Sequence, residues 1–164
     1  DYIEAAKIIK KDYPNTEFNM IGFIEPTESH YENELAELEK IGIVYYRGSQ
    51  KDVKPWIRRA HAIIHPSTYG EGMSNVLLEN ASSGRFIITT DNPGCQETVI
   101  DGESGYVYHG GDVSKLVETI KKFLNLKNND RENGGKKGRK YVENNFSREI
   151  VINAYKEVIK RILR

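Results

Sequence analysis

Apolar residues recur at helical spacing at Tyr2, Ile3, Ala5, Ala6, Ile8 and Ile9, and Tyr13-Pro14-Asn15 breaks the pattern ahead of an extended run over residues 18–23. A charged helix follows over 28–40 with Tyr31, Leu35 and Leu38 turned inward. The β-branched and aromatic residues of 41–46 then predict a second strand. A short helix over 52–60 carries Val53, Trp56 and Ile57, residues 61–65 read as a short buried strand, and 66–72 form a polar loop. The next helix spans 75–83 with Gly84 placed to end it, and the next strand spans 86–90. A Pro- and Gly-containing turn covers 91–94, and a further strand covers 105–108. Three helices, over 113–126, 131–144 and 148–163, finish the chain, the first two separated by the polar run 127–130. Helices alternating with short, nearly continuous apolar strands predict an α/β fold, a parallel sheet covered on both faces and joined by right-handed crossovers. In that architecture ligands sit at the carboxyl ends of the strands.

Composition narrows the setting. The 164 residues, 38% hydrophobic and 29% charged, are enough for one ordinary domain without a metal or disulfide staple. Lys plus Arg and Asp plus Glu each count 24, so the footprint of a general nucleic-acid binder is missing. The zero net charge hides an asymmetry. Residues 1–114 hold 10 basic and 18 acidic side chains, net −8, and residues 115–164 hold 14 and 6, net +8. The single cysteine, Cys95, forms no intrachain disulfide and fits a reducing compartment, and no apolar run reaches the ~18 residues of a membrane span. The chain opens on Asp1 rather than Met and enters a helix at once, which reads as a piece of a longer protein.

The stretch richest in chemistry is His65-Pro66-Ser67-Thr68-Tyr69-Gly70-Glu71-Gly72-Met73-Ser74-Asn75-Val76-Leu77-Leu78-Glu79, closed by Gly84. It reads strand, polar loop, helix. Ser74 or Asn75 is placed to cap the helix. The backbone N–H groups of Gly72, Met73, Ser74, Asn75 and Val76, with the positive end of the helix dipole behind them, favour a phosphate or diphosphate. Glu71 and Glu79 bracket the helix start. A nucleotide-sugar has the matching polarity, with hydroxyls at both ends and a diphosphate between. On spacing alone the bland alternative stays open, with Glu71 a solvated loop residue and Glu79 on a wet helix face.

This stretch resembles the signature of retaining glycosyltransferases of family 4, whose C-terminal domain carries Pro-Ser, then Glu-Gly with seven residues between two glutamates, then a Gly closing the helix. The flanks are similar too: Tyr46-Arg47-Gly48 after a strand, Asp91-Asn92-Pro93-Gly94 with Glu97, and Asp101-Gly102 with Gly105 before a strand. The chain departs from the pattern at Ser74, where Pro is frequent, at Gly70, where a basic residue is common, and at Asn80, where Ala is usual. The resemblance implies a GT-B enzyme of two Rossmann-like, doubly wound domains around a cleft. This chain, residues 1–164, would be the single C-terminal, nucleotide-sugar-binding domain, with 143–164 as its terminal amphipathic helix. By the same resemblance Glu71 contacts the donor sugar and acts as the catalytic position, and Glu79 contacts the ribose. The amides of Gly72, Met73, Ser74, Asn75, Val76 and Leu77 contact sugar and diphosphate, and the loop at Tyr46, Arg47 and Gly48 lies near the base. It implies no cofactor and no metal, only a nucleotide-diphosphate sugar as donor substrate. The glycan or lipid-linked acceptor, and the Gly-Arg loop and Lys that neutralise the leaving diphosphate, would belong to sequence ahead of this chain. The isolated chain is expected to be inactive, and its setting cytoplasmic, in surface polysaccharide biosynthesis. Two alternatives remain: half of a nucleotide-sugar epimerase, and a non-catalytic nucleotide- or carbohydrate-binding module.

Other signals carry less. His61 and His65 share a zinc-helix spacing, but Ala62-Ile63-Ile64 between them reads as strand and no Glu follows His61. Lys136-Lys137-Gly138-Arg139-Lys140, after two glycines, reads as a solvated helix start and not a phosphate loop. Ile150, Val151, Ala154, Tyr155, Val158, Ile159 and Ile162 form a stripe expected to pack in the core. The rival fate is a basic helix docking on the inner, anionic face of a membrane.

Overall fold

The computed structural model describes residues 1–70 and 72–163. Its contacts gather into two compact units, one of residues 1–59 and 111–125, the other of 60–110 and 126–164.

In the first unit, α1 (Tyr2–Asp12) packs against α5 (Val113–Leu124). The contact is reinforced by Lys121 on the Asp12 carboxylate at 2.5 Å. α5 turns Leu116, Val117, Ile120 and Phe123 into the interior, and its N-cap, Asp112, accepts from the Lys115 N–H at 2.9 Å. Between these helices run β1 (Asn19–Met20), α2 (Tyr31–Lys40), β2 (Tyr45–Tyr46) and α3 (Lys54–Arg59). β1 and β2 pair in parallel, Asn19 with Tyr45 and Met20 with Tyr46.

Both strands are shorter than the pattern predicts: β1 ends at Met20, and β2 starts late because a helix terminus takes the residues before it. Gly42 adopts φ +71, its N–H bonds to the Glu39 carbonyl, and the Ile43 N–H bonds to the Leu38 carbonyl. The residues that read as strand over 41–43 are therefore the C-terminal closure of α2, a left-handed turn that outranks the β propensity of Ile41 and Ile43. At the other end, α2 begins at Tyr31 behind a 3-10 turn over Pro26–Glu28. Tyr31 is 41% exposed and stacks on His30 at 4.2 Å instead of turning inward.

The second unit is built on a three-stranded parallel sheet in the order β3 (Ala62–His65), β4 (Phe86–Thr90), β5 (Gly105–Tyr108). β4 is central and buried throughout, which is why its sequence is an unbroken Phe-Ile-Ile-Thr-Thr run. A core of Leu77, Ala81, Ile87, Cys95, Val99 and Val142 ties the sheet to α4 (Asn75–Ser82) and α6 (Asn128–Phe146). Gly84, at φ +71, closes α4 as expected, with its N–H on the Ala81 carbonyl and the Arg85 N–H on that of Asn80.

Two expectations about the last helices are corrected. α6 starts at Asn128, so the polar run 127–130 is its first turn and Gly134, Gly135 and Gly138 lie inside it. These glycines mark a close approach. A Cβ at Gly135 would sit 2.0 Å from the Gly84 carbonyl oxygen, one at Gly134 2.7 Å from the Phe86 ring, and one at Gly138 3.3 Å from Ser104. The last helix, α7 (Arg148–Ile162), begins after an extended Ser147, so residues 143–146 belong to α6. Its apolar stripe is not core. Ile150, Val151, Tyr155, Val158, Ile159 and Ile162 are each at least 42% exposed, because none of the described residues folds over this face of α7.

Candidate functional site

Because β3, β4 and β5 are parallel, their carboxyl ends, His65, Thr90 and Tyr108, lie along one edge, and the loops leaving them gather there. β3 feeds the loop 66–74 and then α4. Ser74 occupies the N-cap position but makes no capping bond. Its side chain is 1% exposed, turned inward with Oγ 3.5 Å from His65 Nε2, while its own N–H donates to the Gly94 carbonyl at 2.9 Å. The first turn of α4 is thereby left open. The Leu78 N–H reaches the Ser74 carbonyl, and the N–H groups of Asn75, Val76 and Leu77 find no acceptor among the described residues. Three aligned donors at the positive end of a helix dipole suit an anionic oxygen cluster.

Of the residues expected here, Gly72 and Met73 are exposed on the loop, and Asn75 and Val76 are exposed on the first turn. Leu77 is fully buried in the core, so its backbone N–H is what it offers a ligand. Glu79 is exposed one turn into α4, and its carboxylate has no partner among the described residues. Glu71 lies outside the described residues.

Tyr46, Arg47 and Gly48 belong to the first unit. The Arg47 guanidinium is occupied within that unit: Nε donates to Asn19 Oδ1 at 2.8 Å and Nη1 meets Glu39 Oε1 at 3.4 Å. Its plane also lies over Tyr45 at 4.8 Å and Trp56 at 5.6 Å. Tyr46 donates its hydroxyl to the Gly22 carbonyl at 2.9 Å, and the Gly48 carbonyl accepts from the Gly22 N–H at 3.1 Å. The Arg47 side chain is thus engaged within its own unit.

Around the β4 and β5 ends the structure adds contacts that the sequence did not show. Asp91 Oδ2 lies 2.8 Å from His109 Nδ1, and Oδ1 accepts from the Gly110 N–H at 3.1 Å. The His109 contact, then the Gly110 N–H, hold the Asp91 carboxyl below its ordinary value. The Thr90 and Tyr108 hydroxyls are buried without a partner among the described residues, and burial pushes the Tyr108 phenol up. Among the described residues no three His, Cys, Asp or Glu side chains gather as a metal set, and no helix is long and apolar enough to cross a membrane.

Comparison with known proteins sets this geometry in context. The model of the family described as glycosyl transferases group 1 matches residues 1–141. Staphylococcus aureus CapM, a capsular polysaccharide biosynthesis glycosyltransferase, is 31% identical over 151 residues, covering 92% of this chain and 39% of its own length. The chain thus spans about two fifths of that relative. A glycosyltransferase from Rickettsia africae superposes with a TM-score of 0.85 at 20% identity, over 99% of this chain and 44% of its own. Anabaena HepE, solved in complex with UDP, gives 0.85 at 18% identity, over 98% and 44%. These likenesses show the fold, the α/β arrangement with parallel sheets of GT-B glycosyltransferases. With its first 141 residues inside the family model, the chain belongs to the glycosyl transferases group 1 family.

Proposed function

We propose that this chain is the donor-binding half of a retaining, family 4 glycosyltransferase that moves a sugar from a nucleotide-diphosphate donor to a glycan or lipid-linked acceptor in surface polysaccharide biosynthesis. The observation that carries the reading is the N-terminus of α4, where among the described residues the N–H groups of Asn75, Val76 and Leu77 find no acceptor and the Glu79 carboxylate beside them has no partner. In this reading the amides hold the diphosphate, Glu79 accepts from the ribose hydroxyls, and Glu71 faces the donor sugar. The backbone at Tyr46, Arg47 and Gly48 borders the base. As the bond from the anomeric carbon to the diphosphate oxygen breaks, charge grows on the diphosphate, where fixed N–H dipoles stabilise it without reorganising. The acceptor hydroxyl oxygen takes the place of that oxygen on the same face of the sugar, and its proton passes to the departing diphosphate oxygen, which leaves with the bonding electron pair. The acceptor site and further cations would come from a preceding domain, so the chain by itself would bind donor without transferring sugar. Support comes from HepE, which holds UDP, and from CapM, whose name places it in capsular polysaccharide biosynthesis. A cytoplasmic setting, with the exposed face of α7 on an anionic membrane, completes the reading.

The test is ¹H–¹⁵N NMR titration of the chain with UDP, GDP, ADP, dTDP and CDP and their common sugars. One nucleotide is expected to shift the Gly72, Asn75, Val76 and Leu77 amides. Glu79→Ala should weaken it about 10- to 100-fold, the worth of hydrogen bonds to a charged acceptor. Silence across the panel, or binding indifferent to Glu79→Ala, would overturn the assignment.

A further inference from the structure

The loop between β3 and α4 is fastened at both ends to one neighbouring loop. At its entry Asn92 Nδ2 donates to the Ser67 carbonyl at 2.6 Å. At its exit the Ser74 N–H donates to the Gly94 carbonyl at 2.9 Å. Between the two fastenings, residues 68–73 make one further hydrogen bond among the described residues, from the Ser67 hydroxyl to the Tyr69 carbonyl at 2.9 Å.

The fastening loop is itself rigidly built. Glu97 Oε2 accepts from the Gly94 N–H at 2.8 Å, and the Asn92 carbonyl accepts from the N–H groups of Cys95 and Gln96 at 3.0 and 3.3 Å. From α6, the Tyr141 hydroxyl donates to the Glu97 carbonyl at 3.1 Å. The space beside the Asn92 bond is closed as well. A Cβ at Gly110 would come within 3.2 Å of Asn92 Nδ2 and 3.4 Å of the Ser67 oxygen, so a side chain at 110 would press on the fastening itself.

We infer that Asn92 is a positioning residue for ligand binding at the amino end of α4. Its amide holds the start of the loop against the turn that follows β4, so that Gly70, Gly72 and Met73 present their backbone in register with the first turn of α4. The inference rests on the donor-site reading given above. Of the two fastenings, the one at Ser74 is backbone to backbone and survives any side-chain change, whereas the one at Ser67 depends on a single amide donor. Removing that donor leaves the Ser67 carbonyl, on a residue 8% exposed, without a partner, and frees the loop at one end only. Asn92 is half-buried and outside the apolar core, so its loss acts on the loop more than on the fold.

The test compares the unaltered chain with Asn92→Asp, which keeps the shape but sets an oxygen against the Ser67 carbonyl, and with Asn92→Gln, which keeps a donor. Two quantities are read: affinity for whichever of UDP, GDP, ADP, dTDP and CDP the unaltered chain binds, and amide hydrogen exchange over residues 68–74. Asn92→Asp is expected to weaken binding about tenfold, the scale of one hydrogen bond, and to speed exchange in that segment while leaving the amides of β4 protected. Asn92→Gln should recover most of both. Unchanged affinity in Asn92→Asp overturns the inference, whether or not exchange quickens. Failure of the unaltered chain to bind any of the five overturns the donor-site reading and the inference with it, and is told apart because no substitution is involved.

Discussion

Asp91 and Asn92 are neighbours in sequence and reach in opposite directions. Asp91 ties the end of β4 to the end of β5 through His109 and Gly110, and Asn92 ties it to the loop leaving β3, so two residues link all three strand ends. The Asp91 carboxylate has a pH consequence. Its folded value lies below its ordinary 3.8, so the unfolded chain binds the proton more readily. The stability this confers stands in full above about pH 4 and is lost as pH falls through the lowered folded value. Urea unfolding of the chain and of Asp91→Asn should therefore show a constant gap from pH 6 down to about pH 4 that narrows below it. A gap that widens on acidification would reverse the sign. At this scale the sequence was only half legible. Asp91, Asn92, Gly94 and Glu97 stood out as a turn and as a flank of the family resemblance, but nothing in the sequence showed the hydrogen bonds from Asn92 to Ser67 and from Ser74 to Gly94. Arg47 was expected near the base by the family resemblance, and its partners Asn19, Glu39 and Trp56, eight or more residues away, are not readable from local sequence.

Elements fared differently according to what ends them. β4 and β5 fall at the expected residues because each is an apolar run bracketed by glycine or turn signals and buried in a sheet. β2 shrinks because the β-branched residues before it serve the closure of α2, a choice that rests on the φ of Gly42 and not on any pattern of polarity. α6 is the clearest case of packing overriding propensity. Three glycines inside a 19-residue helix cost roughly 1 kcal/mol each in intrinsic terms, yet they let the helix backbone meet the Gly84 carbonyl and the Phe86 ring. Gly135→Ala should accordingly destabilise the chain, by about 1–3 kcal/mol or more, although alanine is the better helix former. Gly70→Ala, with nothing within 4 Å of its Cβ, should leave the unfolding midpoint nearly unmoved. Equal midpoints for the two variants in thermal unfolding would contradict the packing argument.

For the molecule as a whole, the charge asymmetry and the bare face of α7 belong together. The +8 of residues 115–164 includes Lys156, Lys160 and Arg161 on α7, whose other side exposes isoleucine, valine and tyrosine. On a membrane such a helix would bury its apolar side at the headgroup boundary and keep its cations near anionic lipid. The chain should then sediment with vesicles rich in phosphatidylglycerol at low salt and be released as salt rises, with Val158→Asp abolishing the association. Equal sedimentation with neutral phosphatidylcholine vesicles would remove the electrostatic part of the case. Connectivity has an effect of another kind. The polypeptide passes between the two units after Arg59, after Gly110 and after Asn125, so neither unit is a continuous stretch. A chain nicked at Gly110 would leave one fragment lacking α5 for the first unit and lacking α6 for the second, and the other fragment supplying both. Reassembly would be bivalent, each docked helix raising the effective concentration of the other, so that a single broken peptide bond need not release either piece.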